Sequence, residues 1–159
     1  YASVHVSPKF GIFRPTWGFN YNQQFFDTKK YGASKALSKP LLSCSLNNNF
    51  ALSETMNAAI RLNASTTHAD GFLMMKSGYS VNLQFDKSFA NRTWIIYLSA
   101  NDIFKTAKER WTMYGLGSDT IKDSYNYTRN ISLQVTYNFN TKRSKYKGTG
   151  AGNEEKSRL

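Results

Sequence analysis

The stretch Asn130-Ile131-Ser132-Leu133-Gln134-Val135-Thr136-Tyr137-Asn138-Phe139 alternates without a fault. Ile131, Leu133, Val135, Tyr137 and Phe139 fall on one side. Asn130, Ser132, Gln134, Thr136 and Asn138 fall on the other. Side chains of a strand project to opposite faces with a period of two, so this decapeptide reads as a strand with one apolar and one polar face. Ten residues also meet the roughly 9–11 that a tilted strand needs to cross a bilayer. The polar face carries amides and hydroxyls rather than charge. That chemistry suits a hydrated lumen better than the Lys- and Glu-rich surface of a soluble sheet.

Working backward along the chain, the same pattern recurs. Residues 79–85 set Tyr79, Val81, Leu83 and Phe85 against Ser80, Asn82, Gln84 and Asp86. Residues 57–64 set Ala58, Ile60 and Leu62 against Asn57, Arg61 and Asn63, and residues 42–52 set Leu42, Cys44, Leu46, Phe50 and Leu52 against Ser43, Ser45, Asn47 and Asn49. Residues 16–25 place Trp17, Phe19, Tyr21 and Phe25 opposite Gly18, Asn20, Asn22 and Gln24. Residues 93–104 carry Trp94, Ile96, Leu98 and Ala100 on one face, with Ile95 and Tyr97 making the other less cleanly polar. Residues 2–7 offer a weaker seventh strand.

Connections alternate in length. Short turns fall near Glu54 and Asn91, whereas long links run over 27–38, 66–78 and 105–126. Short turns at one rim and long loops at the other are the pattern of outer-membrane barrels. The expected fold is therefore all-β: about seven antiparallel transmembrane β-barrel strands over residues 1–139, part of a larger barrel, then a flexible periplasmic tail over 140–159. Seven strands, a start within a strand and no signal peptide lead to the expectation that the remaining strands come from upstream. With the short turns periplasmic, the apolar residues of the alternating pairs are expected to face outer-membrane lipid. The amide-rich set from Asn20 to Gln134 is expected to line the lumen, with Arg61 and Asp86 paired across adjacent strands.

Composition agrees with this and narrows function. The chain is 40% hydrophobic and 15% aromatic but only 19% charged, so its polarity comes from Asn, Ser, Thr and Gln. No run of about 18 apolar residues exists to form a transmembrane helix. The net charge of +11 is concentrated in the tail (Lys142, Arg143, Lys145, Lys147, Lys156, Arg158) and in links (Lys29, Lys30, Lys35, Lys105, Lys108). No recognition helix or RNP-like motif accompanies it, so no nucleic-acid partner is expected. The single cysteine, Cys44, rules out an internal disulfide framework, and no metal or cofactor motif is present. Ser65, His68 and Asp70 lie too close in sequence to converge as a catalytic set, and no enzyme activity is expected. Trp111, Tyr114 and Tyr125, in the longest link, are the candidate ligand contacts from loops.

Two segments carry a family likeness: Asn101-Asp102-Ile103-Phe104, and Tyr146-Lys147-Gly148-Thr149-Gly150-Ala151-Gly152-Asn153-Glu154-Glu155. Together with the strand at 130–139 they resemble the C-terminus of the TonB-dependent-receptor-like outer-membrane β-barrel family of Bacteroidota. The resemblance covers the last third of the chain. It implies a large barrel in the bacterial outer membrane, an N-terminal regulatory-like domain and often a plug elsewhere in the protein, and energised nutrient uptake with TonB and a surface lipoprotein as partners. It also leaves two alternatives: a plugless accessory barrel that scaffolds surface lipoproteins or an assembly complex, and a passive channel.

Overall fold

A computed structural model describes residues 1–25, 27–33, 35–115 and 117–139. The tail expected over 140–159 lies outside the described residues. Eleven strands are present among those described: β1 (Ala2–Val6), β2 (Phe13–Asn22), β3 (Leu41–Ser53), β4 (Met56–Ser65), β5 (His68–Asp70), β6 (Leu73–Met75), β7 (Gly78–Phe89), β8 (Trp94–Asn101), β9 (Lys108–Tyr114), β10 (Asp119–Tyr125) and β11 (Asn130–Tyr137). Seven form one antiparallel sheet in the order β1-β2-β3-β4-β7-β8-β11, and these are the seven strands read from the sequence. The sheet is open. β1 and β11 stand at opposite edges and do not pair with each other.

Residues directly opposite each other in an antiparallel ladder share a face, so the register sorts every side chain. Trp17 opposes Leu46, Leu46 opposes Leu62, and Leu62 opposes Val81. Phe85 opposes Leu98, and Leu98 opposes Leu133. One apolar face thus runs unbroken from β2 to β11. The other runs Thr16–Asn47–Arg61–Asn82 across β2, β3, β4 and β7, and Gln84–Ser99–Ser132 across β7, β8 and β11. The apolar face is open to its surroundings: Ile131 is 79% exposed and Leu133 is 65% exposed. A sheet in water hides such a face, because a continuous apolar surface of this extent drives association.

Polar groups on the apolar face have partners or an escape. Trp17 Nε1 donates to Asn48 Oδ1 at 2.9 Å. Lys87 sits opposite Ile96 but lays its ammonium 5.3 Å from the Phe89 ring, toward the short-turn end. Rings collect at the two ends of this face. Phe13 stacks on Phe50 at 5.0 Å, and Trp94 meets Tyr137 at 4.4 Å near the short turns, while Tyr21 and Tyr79 mark the other end. From Tyr79 to Phe89 the strand climbs about 33 Å, which a tilt near 40° reduces to about 25 Å, the height of an outer-membrane apolar band.

Several sequence expectations need correction. β2 ends at Asn22, not at residue 25, so Gln24 and Phe25 lie beyond it. β11 ends at Tyr137, leaving Phe139 past the ladder with its ring edge-on to Tyr137 at 4.5 Å. β8 is shorter than residues 93–104, and β7 runs on to Phe89. A register shift between Ala51 and Ser53 takes Leu52 out of the strict alternation of β3. The β1–β2 ladder stops at Val6 opposite Trp17 because Pro8 and Pro15 come next and neither has an N–H to give.

The long links at 66–78 and 105–126 are not loops. They contain β5, β6, β9 and β10, which form a second sheet in the order β10-β9-β6-β5. This sheet continues the wall beyond β4, β7, β8 and β11, since β4 leads into β5 and β8 into β9. The hairpin of β4–β5 with β6–β7 keeps one register throughout, from Ala64 opposite Tyr79 to His68 opposite Met75. Across the β7–β8 side it slips: between Leu83/Ala100 and Met75/Trp111 one chain advances eight residues and the other eleven. Three extra residues are taken up in the segment 102–107.

The register makes a direct prediction. In a Cys44→Ala background of the full-length protein, Gln84→Cys with Ser99→Cys should crosslink under mild oxidation, because the two positions oppose each other on one face. Gln84→Cys with Ala100→Cys, on opposite faces, should stay uncrosslinked; the reverse result would mean a one-residue slip.

Candidate functional site

Functional geometry gathers where the two sheets meet, at the end of the long links. Its anchor is Asp102, only 2% exposed and in the left-handed region with φ 45°. An aspartate tolerates that conformation better than most residues. Its Oδ1 accepts hydrogen bonds from the Thr106 N–H (2.8 Å) and the Ala107 N–H (3.1 Å), and its Oδ2 accepts from the Thr128 hydroxyl (2.8 Å). Its own N–H donates to Asn82 Oδ1 at 2.8 Å. One carboxylate therefore ties the bend after β8 to the start of β11, and its backbone ties the same bend to β7. Burial on its own would raise the Asp102 pKa. The bonds from Thr106, Thr128, Ala107 and Tyr125 outweigh it and hold the carboxyl below its ordinary value.

Described residues of the link between β2 and β3 are also held by hydrogen bonds. Thr28 Oγ1 donates to Lys35 O at 3.0 Å and accepts from the Leu37 N–H at 2.9 Å. Gln24 clasps the β5–β6 turn, accepting from the Gly71 N–H at 2.9 Å and donating to Asp70 Oδ1 at 3.2 Å. The Ala69 N–H reaches Lys39 O at 2.8 Å.

Beside this junction lies a recess of about 550 Å³. The wall contributes Asn20, Ser43, Ser45, Asn63, Ser65 and Ser80 from its polar face, with Cys44, Ala64 and Tyr79 from the other. The second sheet and its approaches contribute His68, Lys76, Lys108, Glu109, Arg110 and Asn126. Glu109 Oε2 lies 2.7 Å from Lys122 Nζ, and its Oε1 accepts from Trp111 Nε1 at 3.1 Å. Lys122, then Trp111, holds its carboxyl below the ordinary value. Arg110 Nη2 donates to Ser77 O at 2.9 Å.

Of the polar positions expected at the lumen, the recess gathers Asn20 and Asn63. Asn82 instead serves Asp102, and Asn130 accepts from Asn101 Nδ2 at 2.9 Å. Asn49 donates to Arg14 O, and Gln134 lies 3.5 Å from Thr136 Oγ1. Asn22, Asn47 and Gln84 keep strand positions opposite Leu41, Arg61 and Ser99. The expected Arg61–Asp86 pair is absent: Asp86 Oδ2 accepts from Asn57 Nδ2 at 2.9 Å, while Arg61 stands opposite Asn47 and Asn82. The register is responsible, since Arg61 stands across from Asn82, four positions along β7 from Asp86, and Asp86 is directly across from Asn57.

The three aromatic candidates are strand residues, not loop residues, and the ladder separates them. Tyr114 opposes Asp119 and Tyr125 opposes Lys108 on one face; Trp111 opposes Lys122 on the other. Lysines lie near all three rings: Lys35 at 5.5 Å from Tyr114, Lys105 at 5.3 Å from Tyr125 and Lys122 at 5.9 Å from Trp111. Ser65, His68 and Asp70 form no catalytic relay, since His68 Nδ1 donates to Thr66 O and Asp70 accepts from Gln24. Sequence reasoning missed Asp102 as an anchor and Lys76, Lys108 and Arg110 as a group. Their only signal was the Asn101–Phe104 motif and a basic link.

Asp102→Asn should cost about 1–3 kcal/mol through the weakened charge-assisted bonds. Because the native pKa is depressed, the carboxylate's contribution is complete above the ordinary aspartate value of 3.8 and is lost as the pH falls through the lower native value. Urea unfolding of the full-length protein across the acid range should show that loss in the wild type and not in Asp102→Asn.

The profile of the outer membrane protein beta-barrel family matches residues 3–137. No curated protein and no solved structure matches the chain.

Proposed function

The chain belongs to the outer membrane protein beta-barrel family of the bacterial outer membrane, and from that premise we propose that it forms one side of a barrel that imports a nutrient ligand with energy delivered through TonB. The observation that carries this reading is the recess at the junction of the two sheets. A wall that only excluded solvent would need hydrated polar residues and nothing more. Here hydroxyls, amides and three cations converge on about 550 Å³ at the rim formed by the long links, within the usual range of ligand pockets. The hydrogen bonds of Thr28 and Gln24 and the second sheet support that rim. The likeness at Asn101–Phe104 and at 146–155 to TonB-dependent-receptor-like barrels supports the energised form of import, and a surface lipoprotein is the partner it implies.

On this reading the apolar face meets lipid and the polar face meets the lumen. The edges β1 and β11 pair with further strands of the same protein, because unpaired backbone groups in hydrocarbon cost several kcal/mol each.

Two measurements test the proposal. Leu133→Arg should destabilise the folded barrel by about 2–4 kcal/mol, whereas Gln134→Arg should be much milder. Equal costs would show the faces to be wrongly assigned. In cells of the native bacterium, deleting the gene should abolish growth on at least one scarce nutrient, and uptake should collapse when a protonophore removes the proton gradient. Uptake that survives the protonophore would make the barrel a passive channel. Normal uptake alongside loss of surface lipoproteins would make it an assembly scaffold.

A further inference from the structure

We propose that the recess takes an anionic, hydroxyl-rich ligand of the acidic oligosaccharide class. This rests on reading the recess as the ligand site of the barrel.

Charge comes first. Lys76, Lys108 and Arg110 all line the recess, and Glu109 is the one carboxylate among its lining residues. That carboxylate is already engaged, held by Lys122 at 2.7 Å, Trp111 at 3.1 Å and Asn126 at 3.4 Å. Lys122 does not line the recess, so it offsets Glu109 without adding to the lining charge. Three cations thus face the recess against one carboxylate, and that carboxylate is paired with Lys122. A neutral ligand gives no return for that arrangement, whereas a carboxylate or phosphate group does.

Arg110 supplies a second, independent observation. Its Nη2 is fixed on Ser77 O at 2.9 Å, which anchors the guanidinium in the lining of the recess. A guanidinium held in place is a ready partner for a carboxylate or phosphate oxygen.

The rest of the lining fits hydroxyl groups. Ser43, Ser45, Ser65 and Ser80 offer oxygens that both donate and accept, and the amides of Asn20 and Asn63 do the same. Gly78 keeps the floor open: a Cβ placed there would meet nothing within 4 Å. About 550 Å³ accommodates a short oligosaccharide and exceeds the needs of a lone inorganic anion.

The test is an equilibrium titration of the purified full-length protein in detergent with two probes, trigalacturonate and its fully methyl-esterified form. The esters remove the charge and keep the sugar framework. The acid should bind at least about tenfold more tightly at low ionic strength, and the gap should narrow as salt is added. Arg110→Gln and Lys108→Gln should each weaken the acid about fivefold or more and leave the ester unchanged. Glu109→Gln should tighten binding of the acid, a gain that a misfolded protein cannot produce. Equal affinity for the two probes, no binding of the acid, or no response to Arg110→Gln and Glu109→Gln would overturn the proposal. Selective binding of the acid in a protein whose uptake proves passive would sink energised import and leave the ligand class standing. Energised uptake of a neutral ligand, with no preference for the acid, would do the opposite.

Discussion

Backbone N–H and C=O groups find no water inside a bilayer, so each must be satisfied by another part of the chain. Once helices of sufficient length and apolarity are absent, an antiparallel ladder is what remains, and its register then dictates where every side chain goes. In this protein the ladder runs through seven strands with one shift, at Ala51/Ser53, where β3 turns back toward β4. That continuity lets Trp17, Leu46, Leu62, Val81, Leu98 and Leu133 share one face although they come from six different strands. The cost of a one-residue slip would be the exchange of the two faces on the slipped strand, placing amides among the leucines and isobutyl groups among the amides. Register is therefore specified by the solvent on each side as much as by hydrogen bonding.

Those same constraints explain what could be read in the sequence. Ile131, Leu133, Val135 and Tyr137 share one face of β11 and Asn130, Ser132, Gln134 and Thr136 the other, so the alternation is legible. Each of the seven wall strands left that trace, including β8, where Ile95 and Tyr97 blur the polar face. The second sheet left none. β5 and β6 are three residues each, too short for a period to register, and β9 carries Lys108, Glu109, Arg110 and Trp111 in a run with no two-fold pattern. Where both faces of a sheet meet similar surroundings, the pressure that writes alternation disappears. Arg61 and Asp86 show a different failure. Opposite charges on adjacent strands suggested a pair, but partner choice depends on register, and the register gives Asp86 to Asn57.

Asp102 was illegible for a third reason. Its partners Asn82 and Thr128 lie 20 and 26 residues away, and nothing local announces that they converge. Its position becomes intelligible from the slip between the two sheets. A strand entering a second sheet with three extra residues must leave the ladder, and leaving it strands backbone N–H groups that no neighbouring strand can accept. The carboxylate takes two of them, those of Thr106 and Ala107, and the Thr128 hydroxyl closes the gap toward β11. One side chain does the work that a rung of the ladder does elsewhere.

That substitution sets the geometry of the recess. Lys108 and Arg110 begin β9 directly after the segment that Asp102 holds, so their placement depends on how the extra residues are stored. Had β8 run straight into β9 in the wall register, the β7–β6 hairpin would face residues three positions earlier. Met75 would then oppose Lys108 in place of Trp111, and the cations would be moved along the ladder away from Ser43, Ser65 and Ser80. Lys108 and Arg110 thus come from a strand whose register differs from that of the wall supplying the serines and amides. A device that first appears as a repair of broken backbone pairing is thus also what brings Lys108 and Arg110 over the amide- and hydroxyl-rich rim of the wall.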